Sequence, residues 1–425
     1  MDNEKIVSLL LAALLLVAMF SGASALADEK RVVKVASWDV YSTAANYHAA
    51  IKDGFEAVYP DVEIEWVDLA SQDYKTLATS MLSAGDQTDV YIVKEITDLQ
   101  KWADQGFLVS LDDLVAADDY NLSNYAGMDE MCRVADGTLD ALPFRSDFWV
   151  LYYNKTLFDA AGIAYPTNDM TWEEYADLAK AMTSGEGIDK IYGTHYHTWL
   201  SAVVDWAVCG VDYTLSDGNY DNLKYFYELY QDLEDAGACM EYGELRASGQ
   251  HYTSAFYQGN IAMLPMGSWL IGTLIQEKAN GTFDFDWSFA SVPHMDGVAA
   301  KSSFGNMTAI SISQNAANPE DAWTFIKWLA GEEGAKALAA VGTRPAYVSD
   351  AVAATYASVE GFPNDATALD ALVPSSVSLE WPPGELVPQL QTVVNEEHTG
   401  IMSREYTIDE GIEYMNERAA EIIGE

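Results

Sequence analysis

His195-x-His197 is the close histidine pair of this chain, so it is the first place to look for metal chemistry. Alternate residues of a strand share one face, which would bring the two rings together. The plainer reading is two solvent-side histidines in a strand or loop, and no metal site is expected. Adjacent acids such as Asp112-Asp113 and Asp118-Asp119 have the right group for acid–base work. In a chain with 66 Asp+Glu such neighbours arise without a catalytic role. A glycosidase pair is defined by its separation in space, which sequence does not display. The chain contains no G-x-S-x-G, H-E-x-x-H, Walker or G-x-G-x-x-G pattern. No catalytic residue and no cofactor is therefore assigned. What remains is chemistry suited to holding a molecule. The 25 Tyr and 12 Trp supply flat apolar rings, and carboxylates, amides and guanidinium groups supply hydrogen bonds.

Those side chains need strands and helices to aim them. RVVKVAS around Val33 and Val35 reads as a strand, and Thr43–Tyr59 has helical apolar spacing that stops at Pro60. Val62–Trp66 alternates with period two, Tyr74–Ala84 reads as a helix ended by Gly85, and Asp89–Val93 as a short buried strand. This β-α-β-α-β order favours a parallel, doubly wound sheet. Ligands of open α/β sheets bind beyond the carboxyl ends of strands. Trp38 and Asp39 end the first strand and Tyr41 follows; Lys94 and Glu95 end the third. All five are candidates for ligand contact. Trp199 is a further candidate for ring stacking, whereas Trp206, seven residues on and on the same helical face, is expected in the core. Farther along, Thr171 with Glu174 forms a capping box, and Asn318-Pro319 reads as an N-cap followed by proline at the first helical position. Phe148–Tyr153, Trp287–Val292 and Ala309–Ser313 read as strands, and the chain closes in a helix near Ile408–Ile423. No internal repeat or long linker interrupts this order.

The amino terminus reads as an export signal. Lys5 precedes the apolar run Ile6–Phe20, and Ala25-Leu26-Ala27 supplies a small-x-small cleavage site, which places cleavage after Ala27. The run is short for a membrane span, which needs about 20 residues, and a retained anchor is the alternative. No cysteine stands at the cleavage site to carry a lipid. The remainder suits two domains or two lobes at roughly 100–200 residues each. The net charge of −44 disfavours nucleic acid and anionic membrane as partners. The acids are spread along the chain and read as a solvated surface. Of Cys132, Cys209 and Cys239, the last two are available to pair; three buried free thiols is the alternative.

A series of short motifs then falls in a recognisable order. It runs Phe55-Glu56-Ala57-Val58-Tyr59-Pro60, Asp89-Val90, Gly106-x-Leu108 and Leu111-Asp112. Leu142-Pro143 and Tyr152-Tyr153-Asn154-Lys155 follow, with Leu157-Phe158, Ala161-Gly162 and Thr171-Trp172-Glu173-Glu174. Phe256-x-x-Gly259-x-x-Ala262-Met263 and Gly267-Ser268-Trp269 complete it. The set resembles the family-1 extracellular solute-binding proteins that feed sugar-type ABC importers. The resemblance implies an α/β, two-lobed periplasmic-binding-protein-like fold of type II, each lobe a doubly wound sheet flanked by helices, with a ligand cleft at the hinge. It implies a signal peptide at 1–27, one lobe from 31–146 plus 302–346, and the other from 147–301 plus 347–425. It also implies ligand contact by Trp269, as a stacking ring, and by Asp147, as a hydroxyl acceptor at the lobe crossover. Arg145, two residues from Asp147, either pairs with it or binds ligand. Asn306 and Arg344 lie at the other crossings. The position of a cleft aromatic near the C-terminal helix falls on Val387, a departure for which Trp381 is the substitute. The implied function is capture of a carbohydrate, an oligosaccharide above all, for a membrane permease. A polyamine or other non-sugar solute is the rival ligand, and a secreted carbohydrate-active enzyme the rival class. The expected partners are the solute and the permease subunits, with no nucleic acid, and the expected state is a monomer.

Overall fold

The computed structural model describes residues 30–41, 47–125, 127–382 and 384–424. The expected signal at 1–27 and the first residues of the helix expected from Thr43 lie outside the described residues. The strands are β1 (Arg31–Trp38), β2 (Val62–Leu69), β3 (Val90–Val93), β4 (Leu142–Asn154), β5 (Met263–Gly267), β6 (Trp287–Ser291), β7 (Ser302–Ile312) and β8 (Ser376–Leu379). They form one path in the order β2-β1-β3-β7-β4-β5, with β6 on β4 and β8 on β7. β1 runs parallel to β2 and β3, as the β-α-β-α-β reading requires. β7 then joins antiparallel to β3 and β4, and β5 and β6 both pair antiparallel with the far half of β4.

The helices that bear on the site are α1 (Tyr47–Val58), α2 (Tyr74–Ser83), α3 (Lys155–Ala161), α4 (Trp172–Met182), α5 (Leu270–Ala279), α6 (Pro319–Ala330), α7 (Val387–Met402) and α8 (Ile408–Ile423). Local chemistry fixes several of their ends. The Asn154 side chain accepts from the Leu157 amide to start α3, and Gly162 ends it in the left-handed region at φ 67°. Thr171 and Glu174 make the expected reciprocal capping box at α4. Asn318 does not cap α6 through its side chain, contrary to expectation. Its amide group donates instead to the Val32 carbonyl of β1 at 2.9 Å, and its backbone N–H donates to Asp89 at 2.6 Å. A tertiary tie between α6 and the sheet has taken over the capping side chain.

Two hydrophobic cores lie along this sheet. One gathers Val33, Ile64, Ile92, Trp102, Leu142, Phe144, Met307 and Ile310. The other gathers Phe148, Tyr152, Trp172, Trp206, Phe256, Leu274, Phe304 and Val394. β4, at 13 residues and about 40 Å, feeds both, and so does β7. Core membership changes between Phe144 and Phe148 on β4 and between Phe304 and Met307 on β7. The residues between are Arg145-Ser146-Asp147 and Gly305-Asn306, a polar seam across both strands. β7 passes very close to β4 here: a Cβ built on Gly305 would lie 2.0 Å from the Asp147 carbonyl oxygen.

Other expectations are resolved in the same way. All three cysteines are free and buried. Trp206 is in the core as expected, but the segment from Trp199 forms short 3-10 turns rather than the helix that suggested it. His195 is buried, not solvent-side, with its amide held by the Met263 carbonyl at 3.0 Å. Gly305→Ala would force a methyl group into backbone that cannot yield. The expected cost is about 1–3 kcal/mol, read as a lower midpoint in urea unfolding; an unchanged midpoint would refute the close approach.

Candidate ligand-binding site

The seam between the cores holds a buried ion pair. Arg145 and Asp147 are two residues apart on β4 and so project to one face. Arg145 Nε lies 3.1 Å from Asp147 Oδ2, with side chains only 12% and 4% exposed. The Ser268 hydroxyl donates to the other Asp147 oxygen at 3.1 Å. Burial opposes the Arg145 charge, but Asp147, with Tyr47 and Tyr252, more than offsets it, and the guanidinium pKa stands above its usual value. The guanidinium lies 5.2 Å from the Tyr47 ring centre and 5.8 Å from that of Trp38. Lys94 Nζ approaches the same Trp38 ring at 5.0 Å, so two cations share one indole. Lys94 also donates to the Ser71 carbonyl and hydroxyl at 2.7 and 2.8 Å, while burial lowers its pKa. Beside the pair, Asn306 stands opposite Asp147 in the β4–β7 register. Arg344 donates to the Ser146 hydroxyl at 3.1 Å and lies 4.8 Å from the Phe148 ring.

An aromatic wall stands next to this seam, on the second core's side. β5 ends at Gly267, and the Trp269 ring folds back over it, so that a Cβ on Gly267 would lie 2.0 Å from the indole. Only glycine leaves that space. Trp269 Nε1 donates to the Tyr252 hydroxyl at 3.1 Å and meets Trp149 edge-on at 5.5 Å. Trp199, 40% exposed, lies 5.6 Å from Tyr252 and 6.5 Å from Trp269. His197 packs edge-on against Trp199 at 4.5 Å, and His251 lies over Tyr252 at 4.0 Å. Burial, then His251, lowers His197 to about 4, and burial lowers His251 against the pull of Asp39. Both imidazoles are therefore neutral near pH 7 and can accept as well as donate. Burial pushes Tyr252 up to about 12, so its hydroxyl keeps its proton. Arg145, Asp147 and Asp39 also act on that hydroxyl, which ties the aromatic wall to the seam.

Most of the residues singled out in the sequence meet here. Trp38, Lys94, Arg145 and Asp147 form one group, with Asn306 and Arg344 at its edge, and Trp199 and Trp269 form the wall. Asp39 is exposed and left-handed at φ 51°, a conformation aspartate tolerates better than most residues. Its charge reaches Tyr47, Lys94, His251 and Tyr252. Glu95 acts on Lys94 and on Glu380. Tyr41 stands apart at 80% exposure, and Trp381 is buried in the second core. The sequence reading passed over Tyr47, Tyr252, His251 and Ser268. His197 entered it only as half of a metal pair. The adjacent rings of His251-Tyr252, just ahead of the Phe256 motif, were the one visible signal. Among the described residues no group of three His, Cys, Asp or Glu is placed to hold a metal ion.

A polar, charged seam between the two cores is thus faced by a wall of rings. The family model for bacterial extracellular solute-binding proteins matches residues 40–336. The chain belongs to this family. Among solved structures, this solute-binding protein is similar to a sugar transporter from Rhizobium etli in an open conformation. The two are 36% identical over 91% of this chain and 98% of the other, with a TM-score of 0.76. It also shares its fold with an ABC substrate-binding protein from Listeria monocytogenes in complex with cycloalternan (21% identity, 93% and 99% coverage, TM-score 0.78). Among curated proteins, a putative binding protein of Brucella abortus is 24% identical over 67% of this chain and 68% of its own length. Family and fold are those of substrate-binding proteins, in the two-lobed type II architecture, and the family is exported. No helix among the described residues is long and apolar enough to cross a membrane.

The Gly267–Trp269 contact is open to a direct check. Gly267→Ala must expel the indole from its place and break its hydrogen bond to Tyr252. The expected outcome is a shifted tryptophan emission spectrum at nearly unchanged far-UV circular dichroism; an unaltered spectrum would show that the ring does not rest on Gly267.

Proposed function

We propose that this protein captures a carbohydrate, an oligosaccharide above all, outside the cytoplasm and delivers it to the membrane subunits of an ABC importer. The observation that carries the reading is the pairing of an aromatic wall (Trp269, Trp199, Tyr252) with a dense hydrogen-bonding seam (Arg145, Asp147, Lys94, Asn306, Arg344). Sugars present flat C–H faces that suit the rings and hydroxyls that suit the seam. The Rhizobium etli relative, itself a sugar transporter, supports the same class of solute. The lobes in this proposal are 31–146 plus 302–346 and 147–301 plus 347–425, with the seam as hinge. Ligand bridges the lobes and holds them closed, and the closed form docks on the permease. The chain acts as a monomer, without nucleic acid and without turning over its ligand, after loss of residues 1–27.

A cationic solute such as a polyamine is the second reading, favoured by Asp39, Asp147 and Glu95 beside so many rings. Lys94, Arg145 and Arg344 stand at the same place and weigh against it. Calorimetry with neutral oligosaccharides, a polyamine and a phosphosugar separates these ligands. We expect one neutral oligosaccharide to bind stoichiometrically and to be recovered intact. Trp269→Ala should weaken it by roughly tenfold or more, the ~1.4 kcal/mol scale of losing a stacked ring. Binding of the polyamine alone would refute the carbohydrate assignment, and cleavage of the glycan would refute capture without chemistry.

A further inference from the structure

His251 belongs to the aromatic wall, and its hydrogen bonds fix which ring nitrogen carries the proton. It is the N-cap of the short helix Tyr252–Tyr257, with extended backbone at φ −76° and ψ 143°. The Thr253 backbone N–H donates to its Nδ1 at 3.4 Å, and the Thr253 hydroxyl lies 2.7 Å from the same nitrogen. A backbone N–H can only donate, so Nδ1 must offer a lone pair, and the hydroxyl donates to it as well. A neutral imidazole with a bare Nδ1 carries its proton on Nε2. That N–H points away from the ring edge that faces Thr253. The residue's main chain is held too: the His251 carbonyl accepts from the Ala255 amide at 3.0 Å and from the Ser254 hydroxyl at 2.8 Å. Among the described residues, the hydrogen bonds of His251 run through Nδ1 and the backbone, and none takes the Nε2–H.

The ring stands in the wall rather than apart from it. It lies 4.0 Å from the Tyr252 ring at 36° and 5.6 Å from that of His197. Tyr252 in turn accepts from the Trp269 indole N–H at 3.1 Å and meets the Trp199 ring at 5.6 Å. His251 is exposed, whereas Tyr252 beside it is buried. We propose that His251 is a ligand-contacting residue that sets specificity: its Nε2–H donates to an oxygen at the rim of the sugar ring stacked on the wall. The ligand contact rests on the carbohydrate-capture reading above; the tautomer does not. With its acceptor nitrogen spent on Thr253, the imidazole can give a hydrogen bond to a ligand and cannot take one. It therefore selects an acceptor: a ring oxygen, a glycosidic oxygen or a hydroxyl lone pair. An ammonium group has donors only and would meet N–H with N–H, so a polyamine is disfavoured at this point of the wall. The Asp147 carboxylate, which only accepts, makes the opposite selection at the seam. A ligand that satisfies both must donate and accept, as sugar hydroxyls do.

Two measurements test the two parts. The first is the long-range proton–nitrogen NMR spectrum of the imidazoles in the ligand-free protein near pH 7, with His251→Asn to assign the signal. The expected result is a protonated Nε2 and a bare Nδ1; the reverse tautomer overturns the proposal. The second is calorimetry with the neutral oligosaccharide panel on two variants that both remove the ring. In His251→Asn the amide sits where Nδ1 was, so its oxygen still caps the helix while its N–H groups fall short of the ligand. In His251→Gln the amide reaches the place of Nε2 and the cap is lost. His251→Asn should melt at or above His251→Gln, yet bind roughly fivefold or more weakly than wild type, the scale of one lost hydrogen bond. His251→Gln, although less stable, should bind about threefold or more tightly than His251→Asn. Equal weakening in the two variants assigns the loss to ring packing and overturns the donor role, and wild-type affinity in His251→Asn overturns it as well. Failure of the wild type to bind any oligosaccharide overturns the capture reading and the ligand contact together, while the NMR spectrum still decides the tautomer.

Discussion

The structure turns on one requirement: two paired strands must run through two separate cores. β4 and β7 meet that requirement, and where they leave one core for the other they carry polar side chains. At that crossing Arg145 and Asp147 are nearly cut off from water. Desolvating such ions costs several kcal/mol each unless they are paired and hydrogen-bonded. Here the ion pair, the Ser268 hydroxyl and the faces of Trp38 and Tyr47 supply the partners. The aromatic wall depends on the same place, because Ser268 lies between Gly267, which the Trp269 ring covers, and Trp269 itself. Asp147 thus ties the crossing between the cores to the residue that precedes Trp269.

Net charge describes the surface of this protein and misleads about its cleft. The chain is at −44, yet Lys94, Arg145 and Arg344 gather at the seam. Acids spread over the surface are solvated and screened within about 10 Å at 0.1 M salt, while partly buried groups are screened far less. The cleft is therefore a place of alternating sign: Lys94 and Arg145 against Asp147 and Asp39, and Arg344 near Ser146. Such a lining offers donors and acceptors in comparable measure, which suits hydroxyls better than it suits a fully ionised ligand.

What the sequence disclosed divides along physical lines. Features set by local chemistry were legible: the Thr171 capping box, the parallel β1–β3 unit and the helix Ile408–Ile423. The candidate residues at strand ends were legible for the same reason, since Trp38 and Lys94 follow from where β1 and β3 stop. Features set by distant contact were not. Asn318 lost its capping role to a tie with Val32, and the Trp199–Trp206 segment curls into 3-10 turns that no apolar period announces. Tyr252 and His251 are ordinary surface or core types until the fold sets Tyr252 under the Trp269 indole nitrogen and His251 over Tyr252. Their chemistry lies in pairings between segments far apart in the chain.

On the proposed reading a bend between the lobes concentrates at the seam. Each core is close-packed and resists deformation, so a bend between lobes falls on the few residues that belong to neither. Those residues are Arg145-Ser146-Asp147 and Gly305-Asn306. The ion pair straddles the bend: the Arg145 guanidinium lies on Trp38 and Tyr47, which belong to the first core, while Asp147 is held by Ser268 next to the second. Any rotation of one lobe against the other must therefore move the cation relative to its rings or the carboxylate relative to its hydroxyl donor. A ligand that touches both groups changes the energy of that rotation directly. On the proposed reading the binding residues and the hinge residues are the same residues, and capture and closure become one event.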